Sequence, residues 1–91
     1  MIKITEESIK EHFISKGWVK QEIDVYGKII IQYISNCARY RLSYSMLSCL
    51  VPDGEMGWQL HIHNSNMCNI ASCDVEYIEQ IFTLIDIYKD Y

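Results

Sequence analysis

Arg39-Tyr40-Arg41-Leu42-Ser43-Tyr44-Ser45-Met46 and Trp58-Gln59-Leu60-His61-Ile62-His63, with Pro52-Asp53-Gly54-Glu55 between them, decide the fold class. In the first run Tyr40, Leu42, Tyr44 and Met46 alternate with Arg39, Arg41, Ser43 and Ser45. In the second, Trp58, Leu60 and Ile62 alternate with Gln59, His61 and His63. A period of two marks a strand with one apolar and one polar face. Pro52 fixes one dihedral and Gly54 permits positive φ, so the residues between the runs read as a turn. The pattern predicts neighbouring strands, the first extending to Leu50 or Val51.

On the N-terminal side, Ile29-Ile30-Ile31-Gln32-Tyr33-Ile34 is β-branched and aromatic, which suits a pleated surface, and Ser35-Asn36 ends it. Trp18 to Ile23 forms an earlier strand, closed by a turn at Val25-Tyr26-Gly27-Lys28. Before it, Thr5 caps a helix over residues 6–16 with Glu6 and Glu7 in its first turn, where negative charge suits the dipole. Ile9 and Phe13 share a face of that helix, and Gly17 stands just past its end.

On the C-terminal side, Asn64-Ser65-Asn66 is a turn and Met67 to Ala71 a short edge strand. A helix capped by Ser72 or Asp74 then completes the chain. At about 100° per residue, Val75, Ile78, Ile81, Phe82, Leu84, Ile85 and Tyr88 fill one broad arc. Glu76, Glu79, Thr83, Asp86 and Asp90 fall opposite, with Ile87 beside them. The whole reads as a single α+β domain over residues 1–91. It has two layers: an antiparallel meander of three to five strands, with the N-terminal and C-terminal helices packed on one face. The other sheet face then carries Arg39, Arg41, Ser43, Gln59, His61 and His63.

Composition narrows the function classes. At 49% hydrophobic residues with one Pro and four Gly, the chain is too apolar for a disordered segment and leaves little room for a linker. No apolar run approaches the roughly 18 residues of a membrane span, and the start is too polar for a signal peptide. Cytoplasm is therefore the expected compartment, with Cys37, Cys49, Cys68 and Cys73 as reduced thiols. Charge is unevenly spread: every basic side chain but Lys89 lies in the first 52 residues, while more than half of the acidic ones lie in the last 39.

Three chemistries are worth weighing. His61 and His63 stand two apart on a strand, about 6.5–7 Å from each other on one face, and Cys68 and Cys73 follow. Those four make the candidate zinc set, although the cysteine spacing meets a structural site only marginally. A ridge of Arg39, Tyr40 and Arg41 is the candidate for single-stranded nucleic acid. The net charge of −4 and the lack of a ribonucleoprotein-type run disfavour it. No nucleophile elbow, nucleotide loop or His-Glu-x-x-His helix is present, so no catalytic residue is assigned and no enzyme or cofactor is expected.

Aromatic residues are abundant, with seven Tyr and two Trp. Trp18, Tyr33, Tyr40, Tyr44 and Trp58 are assigned to the core, and Tyr26, Tyr77 and Ile87 to the surface as contact candidates. Trp58 through His63 followed by Asp74-Val75-Glu76-Tyr77-Ile78-Glu79-Gln80 resembles small proteins carried on bacterial phages and mobile elements, which end in a tryptophan-bearing strand and then a helix. That resemblance implies an accessory or inhibitor role and transfers no catalytic residue.

The expected function is a non-enzymatic protein-interaction module. Its contact is the acidic helical face, Glu76, Tyr77, Glu79, Asp86, Ile87 and Asp90. Homodimerisation through the sheet edge or the last helix is a further expectation, a zinc-binding domain is the alternative, and nucleic-acid binding stands third.

Overall fold

The Tyr40/Leu42 and Leu60/Ile62 alternation builds the centre of the molecule: Leu42, Leu60 and Ile62 are fully buried and Tyr40 nearly so. The computed structural model describes residues 1–46 and 56–91. Its elements are α1 (Glu6–His12), a 3₁₀ turn (Ile14–Lys16), β1 (Val19–Val25), β2 (Lys28–Ile34), β3 (Tyr40–Met46), β4 (Met56–His63), β5 (Asn69–Val75) and α2 (Ile78–Tyr88). The expected extension of the third strand to Leu50 or Val51, and the turn at Pro52–Glu55, lie outside the described residues.

The five strands run in the order β1-β2-β3-β4-β5, every neighbouring pair antiparallel. Both helices lie on one face, so the fold is a two-layer α+β meander, as the sequence predicts. The first hairpin is closed by Tyr26 and Gly27, both at positive φ (52° and 80°), between the paired residues Val25 and Lys28. Two successive positive φ values match the twist of the strands they join.

The capping of α1 is reciprocal. The Ser8 N–H donates to Thr5 Oγ1 (3.1 Å), and the Thr5 N–H donates to Ser8 Oγ (2.7 Å). The helix is shorter than expected: it ends at His12, and the chain tightens into the 3₁₀ turn before Gly17. That step swings Phe13 and Trp18 inward, where their rings lie 4.6 Å apart. Gly17 has φ 104°, a left-handed conformation that a side chain would strain, and a Cβ there would also displace the Asn36 amide that donates to the Lys16 carbonyl.

The expected edge strand over Met67 to Ala71 is present but runs on to Val75, so the main correction concerns residues 72–77. Ser72 and Asp74 do not cap a helix; they lie in β5, paired with His61 and Gln59. Ala71, Cys73 and Val75 face the helix layer, so this stretch follows a period of two. The helix begins only at Ile78, where Gln80 Oε1 accepts the N–H groups of Glu76 (2.7 Å) and Tyr77 (2.9 Å). The N-terminal segment pins the same point: Ile4 N–H donates to the Glu76 carbonyl, and Ile78 N–H to the Ile2 carbonyl. Pairing with β4 on one side and with residues 2–4 on the other satisfies backbone groups that a longer helix would have withdrawn.

The core joins Ile4, Ile9, Phe13 and Trp18 to Tyr33, Val75, Ile78 and Ile81. Tyr44 and Trp58 depart from the expected core assignment. They face the helix side, but Tyr44 is 45% exposed and Trp58 only half-buried.

Candidate protein-contact surface

Helical spacing on α2 places Glu79, Thr83 and Asp86 along one side, with Ile87 next to Asp86 and Asp90 just past the end. Their surroundings divide them. Glu79 is held by the fold, its two carboxylate oxygens accepting the Ile2 N–H at 3.0 and 3.1 Å. Backbone N–H groups, its own and that of Ile2, keep its carboxyl below the usual carboxylate range. Glu76 precedes the helix and belongs to the paired N-terminal segment, and Tyr77 occupies the N-cap position.

The far end of α2 is different. Asp86 meets Lys89 at 3.1 Å across open surface, and that carboxylate holds the Lys89 ammonium above the ordinary lysine value. It is the single ion pair among the described residues. Ile87 is 56% exposed, and Asp90 and Tyr91 are exposed beside it. The expected six-residue contact thus separates into a group engaged by the N-terminal segment and the helix start (Glu76, Tyr77, Glu79) and an exposed patch at the far end (Asp86, Ile87, Asp90), within which Asp86 pairs only with Lys89.

Arg39 is the residue whose role the sequence hid. Its Nε donates to the His63 carbonyl at 2.9 Å, and its terminal nitrogens donate to the Tyr88, Lys89 and Tyr91 carbonyls at 3.0–3.2 Å. It therefore caps the last turn of α2 from across the sheet. Its guanidinium lies 5.5 Å over the Tyr40 ring, and Tyr40 is buried. Arg41 points to the opposite sheet face, with a buried Nε that has no hydrogen-bond partner among the described residues. The expected Arg39-Tyr40-Arg41 ridge for nucleic acid does not form, because one arginine and the tyrosine are spent inside the fold.

The proposed zinc set is likewise not brought together. His61 pairs with Ser72 on the face away from the helices, while Cys73 pairs with Leu60 on the helix side. The Ser72 hydroxyl is 2.8 Å from His61 Nδ1, and burial, helped by His63 and Arg41, pushes the His61 imidazole below the ordinary histidine value. His63 Nδ1 lies 3.3 Å from the Arg39 carbonyl, and Cys68 is exposed in the turn before β5. Among the described residues no group of three or more His, Cys, Asp or Glu side chains is arranged to hold a metal ion. None of these helices is long and apolar enough to cross a membrane.

No family model, curated protein or solved structure matches the chain.

Proposed function

We propose that this protein is a non-enzymatic interaction module that binds a partner protein through the acidic end of α2. The observation that carries the reading is the exposed Asp86, Ile87 and Asp90 group at the end of α2, where Asp86 meets only the exposed Lys89, whereas the Glu79 carboxylate is tied to the Ile2 backbone. Charged groups around an exposed apolar side chain steer association and fix register, and the net charge of −4 favours a basic counterpart. An accessory or inhibitor role on a phage or mobile element belongs to the same proposal, resting on the resemblance of the tail alone.

The test is charge reversal at Asp86 and Asp90 together. Glu79 is unsuitable, because reversing it would also release Ile2. Asp86→Lys/Asp90→Lys should keep the wild-type circular dichroism and melting profile while losing retention of the partner on immobilised protein. Undiminished retention would remove α2 from the account.

A further inference from the structure

The two edges of the sheet are finished differently. β5 shifts register against β4 beside His63, and residues 2–4 pair with the chain just past its end. β1 has no such protection. It runs from Val19 to Val25 without Pro, Gly or a register shift, and among the described residues it pairs on one side only. Val19, Lys20, Gln21, Glu22 and Asp24 are all exposed. Val25 and Lys28 close a two-residue turn and so exchange hydrogen bonds, and alternation down the ladder gives Ile23, Gln21 and Val19 the remaining bonds to β2. The N–H and C=O groups of Lys20, Glu22 and Asp24 therefore point to the open edge.

A strand that meets its own copy antiparallel across a two-fold axis pairs each residue with the one equally far on the other side of a centre. Outward-pointing residues must face outward-pointing residues, so that centre falls on a residue and not between two. Centred on Lys20, Glu22 or Asp24, the central residue meets its own copy. Centred on Ile23, Glu22 meets Asp24. Each of these registers sets like charges directly opposite, which is destabilising. Centred on Gln21, Lys20 stands opposite Glu22 of the second copy and Glu22 opposite its Lys20, while Val19 stands opposite Ile23. In that register the strand is complementary to itself.

The neighbouring strand extends the match. On the face away from the helices, Ile30 and Ile23 pair across β1 and β2, as do Val19 and Ile34. The Gln21 centre joins the Ile30–Ile23 row to the Val19–Ile34 row of the second copy, and the reverse, with the Gln32–Gln21 rows meeting between them. Val19 is 62% exposed in the single chain, and Ile23, Ile30 and Ile34 are half-buried, so joining the rows removes apolar surface from water.

We infer that this protein self-associates through β1, two copies pairing antiparallel about Gln21 so that their five-stranded sheets become continuous. The contact is separate from the acidic end of α2 and independent of the function proposed for it.

The test is sedimentation equilibrium of the full chain over a range of concentrations, with reductant present because Cys37 and Cys68 are exposed. The mass should rise with concentration from 10.7 kDa towards twice that value. Lys20→Glu and Glu22→Lys, each of which sets like charges opposite twice, should each weaken self-association roughly 10- to 100-fold. Lys20→Glu/Glu22→Lys together should restore it, which no register centred on Glu22 would allow. Circular dichroism melts of all three variants confirm that the fold is kept, and recovery in the double variant shows that neither substitution acts by unfolding the chain. A wild type that stays monomeric at every concentration would overturn the inference. So would single variants that associate as well as wild type, or a folded double variant that does not recover. Dissociation by Asp86→Lys/Asp90→Lys instead would move the contact to α2 and overturn the β1 edge.

Discussion

Glu79 shows how a surface carboxylate can be structural. Its side chain receives the Ile2 N–H, and Ile2 in turn supplies the carbonyl that accepts the Ile78 N–H, so the N-terminal segment and the start of α2 are fastened at one point. A carboxyl whose folded value is depressed stabilises the native state fully above its unfolded value of about 4.3 and loses that contribution as pH falls through the folded value. Glu79→Gln should therefore melt at a slightly lower temperature than wild type near neutral pH. The difference should close in acid, once the wild-type carboxyl is also neutral. Thermal melts of both proteins across that range check it; a gap that stays constant with pH would mean the carboxylate charge is not what holds Ile2. Nothing around Glu79 in the sequence announces this, because its partner lies 77 residues away.

At the scale of elements, short-range signals were legible and long-range ones were not. Thr5, Gly17 and the Tyr26-Gly27 turn act through neighbours in the chain, and each does in the structure what its chemistry suggests. Residues 72–77 read as helix in the sequence because Val75 fits the apolar side of a helix as well as the inner face of a strand, and Ser72 and Asp74 suit both an N-cap and a solvent-facing strand position. The pairing of β5 with β4 decided between them, and that contact is tertiary. Arg39 is the same lesson on a larger scale: read locally it is a basic strand residue, yet in the fold it satisfies carbonyls at the end of α2. Arg39→Ala should cost about 1–3 kcal/mol and raise amide exchange selectively in the last turns of α2. Arg39→Lys should recover only part of this, since an ammonium lacks the planar fork that reaches several carbonyls at once. Exchange that rises evenly across the molecule would contradict a local capping role.

For the whole molecule, a two-layer fold with helices on one side follows from the alternation of residues 40–46 and 58–63 and the amphipathic last helix. What alternation does not reveal is how far the helix layer reaches. Tyr44 and Trp58 sit on the inner side of their strands by pattern, yet the helices cover Leu42 and Leu60 and leave those rings part-exposed. With α1 only seven residues long and α2 eleven, the cover is about one to one and a half nanometres along the helix axis. The exposed acidic end of α2 is the surface on which the proposed interaction rests. The most direct test is native mass spectrometry of the protein freshly captured from its own host lysate, in wild-type form and as Asp86→Lys/Asp90→Lys. The wild type should carry a discrete added mass, belonging to a basic protein and missing from the variant; a bare 10.7 kDa chain or a doubled mass with no other component would contradict binding through α2.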